Sequence, residues 1–222
     1  MIWFCNWFVK VTAWLLHVFA FRKKIYYEDK KVQKRGIRGK AIVVSNHYSI
    51  WDYPLLMFVF HRRSLRCQIA EVMYRKNFVL TGLLKGLGGV KVDRETHDFS
   101  FMEKSNKILK KKGVLLIFPE SRLPREGEET PLPFKPSAVY TALENDAPIV
   151  PVAVNGSYFG KKRASVMIGK PIDVKEWCDP NLSDSENVAL VNEKLREKVI
   201  ALKDELGRRE KAQKGKKEKE KM

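Results

Sequence analysis

The sequence predicts an α/β fold in which a mainly parallel sheet is flanked by helices, with an N-terminal membrane-associating helix. One observation indicates the sheet and its helices, and a second indicates the size of the core. Short apolar runs such as Ala41–Ser45 alternate with amphipathic segments such as 99–112, and this alternation is typical of parallel strands joined by helices. The chain has 222 residues, 44% of them apolar, which is enough for one substantial core.

The predicted elements follow from local patterns. The strands are expected at 25–27, Ala41–Ser45, Leu65–Ala70, Val90–Val92, 114–118, Ile149–Val154 and 164–168. Helices are expected at 53–60, 99–112 and 137–144, and segment 78–87 is apolar. A last helix begins near Ser183, which with Glu186 forms a capping box. Pro151 interrupts a strand and therefore implies an edge or irregular position.

Residues 1–24 are predicted to be a membrane-anchoring amphipathic helix. On a helical projection, Asn6, Lys10 and His17 share one face with three tryptophans, residues that favour the headgroup level. A helix that spanned the bilayer would bring Lys10 near its midplane, at a cost of about 2.5–3.5 kcal/mol. A helix that lies in the interface avoids this cost. The in-plane placement is therefore favoured, while a single span or a buried core helix stays open.

Charge and cysteine usage narrow the possible partners. The chain has 43 Lys and Arg against 26 Asp and Glu, a net charge of +17, which points to nucleic acid, anionic lipid or an acidic carrier protein. Segment 208–222 is rich in Lys and Glu and is predicted to be a basic, disordered tail. The three cysteines are widely separated, so neither a zinc site nor a disulfide framework is indicated and no metal is expected.

The strongest chemical signal is Asn46-His47-Tyr48-Ser49-Ile50-Trp51-Asp52, directly after the strand Ala41–Ser45. Imidazole titrates near neutral pH and can accept a proton from an alcohol. A carboxylate that accepts from one ring nitrogen would fix its tautomer. His47 and Asp52 can meet if His47 lies in the turn after the strand and Asp52 in the first turn of the next helix. An isolated match of this kind also fits a surface histidine.

Two further segments present charged groups just after strands. Gly88-Gly89-Val90-Lys91-Val92-Asp93-Arg94 ends in an arginine, and Phe118-Pro119-Glu120-Ser121-Arg122 presents a carboxylate and a guanidinium. The planar guanidinium suits phosphate oxygens. Either segment would also fit a surface ion pair, which contributes little to stability.

In this order, the three segments and the apolar strand with its internal proline resemble the glycerolipid acyltransferase family, which includes 1-acylglycerol-3-phosphate (lysophosphatidate) acyltransferases. The resemblance covers about 41–174 and implies an acyltransferase α/β domain at 25–207. Two departures stand out. The family's usual glycine after the glutamate is Ser121 here, and Arg122 follows one residue earlier than the family's arginine. Arg125 is therefore an alternative to Arg122.

The resemblance implies an enzyme of phospholipid biosynthesis at the cytoplasmic face of the cell membrane. His47, oriented by Asp52, would deprotonate the sn-2 hydroxyl of lysophosphatidate, and the product would be phosphatidic acid. Arg94, Glu120 and Arg122 would bind the substrate phosphate. The co-substrate would be an acyl thioester of acyl carrier protein or coenzyme A, with no cofactor and no nucleic acid. Glycerol-3-phosphate or another lysophospholipid is an alternative acceptor, and a non-enzymatic basic membrane-binding protein is the rival class.

Overall fold

A seven-stranded sheet forms the centre of the protein, in the strand order β1-β7-β6-β2-β5-β3-β4. The computed structural model describes residues 2–93, 100–160 and 162–219. The strands are β1 (Lys24–Tyr27), β2 (Ala41–Ser45), β3 (Leu65–Ala70), β4 (Val90–Val92), β5 (Val114–Ile117), β6 (Ile149–Val154) and β7 (Ser165–Ile168). The only antiparallel pairing between these strands joins β6 to β7. The predicted α/β fold with a mainly parallel sheet is confirmed.

Helices cover both faces of this sheet. They are α1 (Ile2–Thr12), α2 (Trp14–Phe21), α3 (Asp52–Val59), α4 (Glu71–Tyr74), α5 (Phe78–Gly86), α6 (Ser100–Lys110), α7 (Ser137–Asn145) and α8 (Asp184–Lys219), with a 3₁₀ turn at Val174–Trp177. On one face, β2 residues Ile42 and Val44 pack with α6, α7 and α8. On the other face, Ala41 and Val43 pack with α3 and with Phe21 of α2. This alternation explains why β2 is apolar throughout: it is buried on both faces.

Pro151 lies in an interior strand, so the edge alternative is wrong and the irregular alternative is confirmed. β6 is flanked by β2 and β7. The Pro151 carbonyl accepts from the Gly169 amide at 2.8 Å, just beyond the end of β7, and the next contact on that side is the bridge between Ile149 and Ile172. The ladder between β6 and β7 ends at the Val152–Ile168 pair, so Pro151 lies just beyond it, where a residue without an N–H is tolerated.

The C-terminal segment differs from the predicted disorder, because α8 continues through it as far as Lys219. Its Arg209 donates to the Tyr27 carbonyl at 2.9 Å, and Gln213 accepts from the Tyr26 hydroxyl at 3.0 Å. Lys, Glu and Arg have high helix propensity, and these contacts with β1 add tertiary support. The helix begins as predicted, since the Glu186 carboxylate accepts from the Ser183 amide at 2.9 Å.

The N-terminal segment forms two helices, and their polar side chains face the protein instead of lipid headgroups. Asn6 donates to the Leu87 carbonyl at 3.2 Å, and Lys10 Nζ donates to the carbonyls of His61 and Arg63 at 3.0 and 2.7 Å. The His17 ring stacks on Phe58 with centroids 3.9 Å apart. Burial, aided by the neighbouring charges of Lys23 and Arg35, lowers the pKa of His17 to about 4.

Much of the remaining surface of these two helices is apolar and exposed. Its exposed side chains are Trp3, Phe4, Trp7, Phe8, Val11, Trp14, Leu15, Val18 and Phe19. Helix α5 adds Phe78, Val79 and Leu83 beside α1, where Gly86 approaches Cys5. We call these twelve side chains the apolar surface.

Across 2–93, 100–160 and 162–219, no helix combines the length and the apolar character needed to cross a membrane. The single-span alternative therefore finds no support in the structure.

Candidate active site

The candidate site lies where three neighbouring strands end. The central strand β2 leads to His47, its neighbour β5 leads to Glu120, and β6, on the other side, leads to Tyr158. Since parallel strands present their carboxyl ends at one edge of a sheet, this topology brings the three side chains together.

Asp52 is the centre of the hydrogen bonding at this edge. Its side chain is fully buried, and Oδ2 accepts from His47 Nδ1 at 2.7 Å and from the amides of Tyr48 and Ser49 at 2.7 and 2.8 Å. The Tyr158 hydroxyl donates to Oδ1. Asp52 is also the first residue of α3, where the helix dipole favours an anion. These donors stabilise the buried carboxylate in its charged form.

The His47 ring is fixed on two sides. A carboxylate only accepts hydrogen bonds, so Nδ1 carries a proton and Nε2 is left as the acceptor. The ring stacks on Phe118 with centroids 4.1 Å apart and an interplanar angle of 18°. Only 18% of the side chain is exposed. The arrangement can accept a proton at Nε2 and stabilise the resulting imidazolium.

Glu120 is engaged inside the protein. Its carboxylate accepts from the amides of His47 and Leu132, both at 2.7 Å, and from the Thr130 hydroxyl at 2.9 Å. The side chain is buried, and burial raises its pKa while these hydrogen bonds oppose that shift. In this arrangement Glu120 faces inward and holds the backbone of His47. Its role in binding the substrate phosphate stays a prediction.

The two candidate arginines of the following loop differ in availability. Both terminal nitrogens of Arg122 bind the Glu128 carboxylate, at 2.5 and 2.9 Å. This hydrogen bonding lowers the pKa of Glu128 to about 2. Arg125 is exposed and makes no side-chain hydrogen bond among the described residues. Arg94, the third predicted arginine, lies outside the described residues, one position beyond Asp93.

Sequence reasoning missed Tyr158 and Thr130. Tyr158 follows the predicted Asn155-Gly156 turn at the end of β6. Because β6 lies next to β2, a residue just after this turn lies beside the end of β2, and this position was the available signal. Gly156 has a φ of 67°, and a Cβ there would lie 2.6 Å from the Tyr48 ring. Glycine thus allows this loop to approach the His47 turn closely. Thr130 lies in an irregular segment, where no sequence pattern indicated a contact with Glu120.

Ser121 adopts a backbone conformation that glycine favours. Its φ is 64°, in the left-handed region, which costs an L-residue about 1–2 kcal/mol. This is the position at which the resembled family usually has glycine. The chain therefore has the backbone conformation that glycine favours at position 121, although the residue there is serine.

Comparisons with known proteins define the class. A family model described as acyltransferase matches residues 3–155, so the chain belongs to the acyltransferase family. It is 28% identical over 152 residues to the 1-acyl-sn-glycerol-3-phosphate acyltransferase of Cocos nucifera, covering 66% of this chain and 48% of that protein. It is 29% identical over 136 residues to the enzyme of the same name from Bacillus subtilis, covering 59% of this chain and 65% of that one.

One solved structure shares the fold. The 1-acyl-sn-glycerophosphate acyltransferase PlsC from Thermotoga maritima superposes with a TM-score of 0.58 at 22% identity, covering 90% of this chain and 79% of that one. The chain spans about half the length of the first curated relatives that it matches, 48% and 56%.

We predict that Ser121→Gly stabilises the protein by about 1 kcal/mol, because glycine has no Cβ to clash in the left-handed region. For a chain of this size the melting temperature should rise by roughly 2–4 °C. Ser121→Ala is the matched control, since alanine keeps the Cβ and should melt like the wild type. Equal melting temperatures for all three proteins would contradict a strained Ser121.

Proposed function

We propose that the protein transfers an acyl group from a thioester to the sn-2 hydroxyl of 1-acyl-sn-glycerol-3-phosphate, giving phosphatidate. The observation that carries this proposal is the His47–Asp52 pair, in which Nδ1 is bound and Nε2 is available. Membership of the acyltransferase family and the names of the relatives support the choice of reaction and acceptor.

The proposed reaction needs a single general base, His47, to balance its proton transfers. His47 Nε2 takes the proton of the substrate hydroxyl while its oxygen forms a bond to the thioester carbonyl carbon. The carbon–sulfur bond then breaks, and the imidazolium returns the proton to the leaving thiolate. Asp52 stabilises the imidazolium between these steps. The thiol and the new ester are the products, and His47 regains its starting state.

Direct transfer between the two substrates is the simpler course, because the described residues of the site offer no activated nucleophile. Cys67 is buried, and burial raises the pKa of its thiol, which disfavours the reactive thiolate. The side chain that contacts Asp52 besides His47 is the Tyr158 phenol, whose pKa is also raised by burial. Tyr158 would thus position the carboxylate without acting as a nucleophile.

The substrate phosphate would be bound by arginines beyond the strand ends. Arg94 is assigned to this role by resemblance. In the loop after β5, Arg125 is the better placed candidate, because Arg122 is already paired with Glu128. Arg122 would then act by holding the loop that presents Arg125, whose own amide donates to Glu128 at 2.7 Å.

Membrane association would bring the lipid substrates to the site without a span. The apolar surface gathers twelve exposed apolar side chains on three helices that contact one another, α1 with both α2 and α5, as expected of a surface that enters the headgroup region. Between α2 and the site lies Phe159, whose ring makes a T-shaped contact with Trp51 at 4.7 Å and lies 5.7 Å from the ring of Phe21 in α2. A monotopic attachment at the cytoplasmic face, with exposed Ile50 and Trp51 near the acyl chains, fits this arrangement.

The decisive assay offers the protein lysophosphatidate, glycerol-3-phosphate or another lysophospholipid with acyl thioesters of coenzyme A or acyl carrier protein. We expect thiol release that requires lysophosphatidate. Acceptor preference for a different lipid would replace the proposed substrate, and thiol release without any acceptor would contradict direct transfer.

His47→Ala should lower kcat/KM in that assay by roughly 10²–10⁴-fold, the usual contribution of a general base. The variant should keep its circular dichroism spectrum and still co-sediment with phosphatidylcholine–phosphatidylglycerol vesicles, because the ring is not part of the apolar surface. Activity within a few fold of wild type would remove His47 as the base. A wild-type protein that stays in the supernatant would contradict the membrane attachment.

Arg125→Gln should raise the KM for lysophosphatidate about tenfold with a smaller change in kcat, because a charged hydrogen bond to phosphate would be lost. Arg122→Gln should have a weaker effect, through the loop alone. Lys104→Gln removes the same charge from the exposed side of α6, outside the loop after β5, and should change neither constant. If Arg125→Gln matches that control, the assignment of Arg125 fails.

A further inference from the structure

A cavity of about 660 Å³ lies between the N-terminal helices and the end of α3, away from His47. It is lined by α1, α2 and the segment His61–Ser64, which precedes β3. Asp52 begins α3 beside His47, whereas Phe58 near its other end borders the cavity. Eight helical residues rise about 12 Å, so the cavity and the candidate active site lie at opposite ends of this helix.

The lining is strongly cationic. Among the described residues, no aspartate or glutamate borders the cavity, whereas five cations do: Lys10, Lys23, Arg35, Arg62 and Arg63. None of the five takes part in an ion pair within the described part of the chain. Like charges gathered without a counter-ion repel one another, and an anion that entered the cavity would relieve this repulsion.

Three of these cations are held in place by the backbone. Lys10 binds the carbonyls of His61 and Arg63, Arg35 donates to the Val59 carbonyl at 2.8 Å, and Arg63 donates to the Ile37 carbonyl at 3.1 Å. Such anchored cations form a preorganised site, whose side chains lose little freedom when an anion binds.

The remaining two cations are not anchored by backbone carbonyls of the described residues. Lys23 Nζ lies 3.1 Å from His17 Nε2, and Arg62 makes no side-chain hydrogen bond among the described residues. Burial lowers the pKa of Lys10 and of Lys23 to about 8, and for Lys23 the charge of Arg35 adds to this effect.

The mouth of the cavity carries tryptophans that belong to the apolar surface. Trp3, Trp7 and Trp14 border the cavity and are 73%, 50% and 56% exposed. Tryptophan prefers the headgroup level of a bilayer. If the apolar surface enters the membrane, as proposed above, the cavity opens at the depth of the lipid phosphates.

We propose that this cavity binds the phosphate of an anionic phospholipid headgroup, at a site separate from the one that accepts the substrate. The bound lipid would neutralise the cations and clamp α1 and α2 to the domain. The proposal rests on the membrane placement in the proposed function but not on acyl transfer, because its test measures binding alone.

The test uses dihexanoyl phosphatidylglycerol below its micelle concentration, titrated into the full chain and followed by tryptophan fluorescence. We expect saturable binding to the wild type and at least tenfold weaker binding to Lys23→Gln/Arg62→Gln, which loses two charged contacts. Arg22→Gln/Lys85→Gln is the matched control: it removes two exposed cations near the apolar surface but outside the cavity, and should bind like wild type. Melting temperatures verify that each variant is folded.

Three outcomes would overturn the proposal. Equal weakening in both double variants would indicate diffuse electrostatics, and equally tight binding of dihexanoyl phosphatidylcholine would remove the anionic headgroup as the ligand. Inorganic phosphate that competes at the affinity of the lipid would identify a free-anion site instead. If acyl transfer fails while the lipid still binds as expected, the result supports the proposed lipid site in the cavity and contradicts the proposed reaction.

Discussion

The buried carboxylate of Asp52 is the constraint on which the candidate site depends. An ionised group inside a protein is stable only when donors surround it, and Asp52, at the start of α3, gathers them from two other parts of the chain: the turn after β2 and the loop after β6. Glu120 does the same from the β5 side through the His47 amide. Two buried carboxylates thus fix both the ring and the backbone of His47.

The N-terminal helices use polar side chains to contact the domain and expose apolar side chains, and this division connects membrane binding to the reaction. Their polar residues contact the domain, since Asn6 and Lys10 donate to its carbonyls and His17 stacks on Phe58, and the exposed side chains are mostly apolar. At the end of α2, Phe21 lies 5.7 Å from Phe159, which contacts Trp51 beside the site. In the proposed function, one docking event brings both the acyl chains and the reactive hydroxyl to His47.

Local patterns were sufficient for most of the fold, because strands such as Ala41–Ser45 are apolar and bounded by clear breaks. They also placed His47 and Asp52 in the turn and helix that bring them together. Long-range contacts could not be predicted from these local patterns. Neither the inward use of Glu120 nor the Tyr158 bond has a local signature, since both depend on which strands are neighbours. The docking of Asn6 and Lys10 and the helical course of 208–219 likewise depend on tertiary partners.

The most direct measurement of the central claim is the tautomer of His47, read from ¹⁵N chemical shifts and one-bond ¹H–¹⁵N couplings of the labelled imidazole at a pH where the ring is neutral. The account predicts a proton on Nδ1 and none on Nε2, and loss of this preference in Asp52→Asn, whose amide can also donate. A neutral ring with its proton on Nε2 in the wild type would contradict it, because that nitrogen could then not accept the substrate proton.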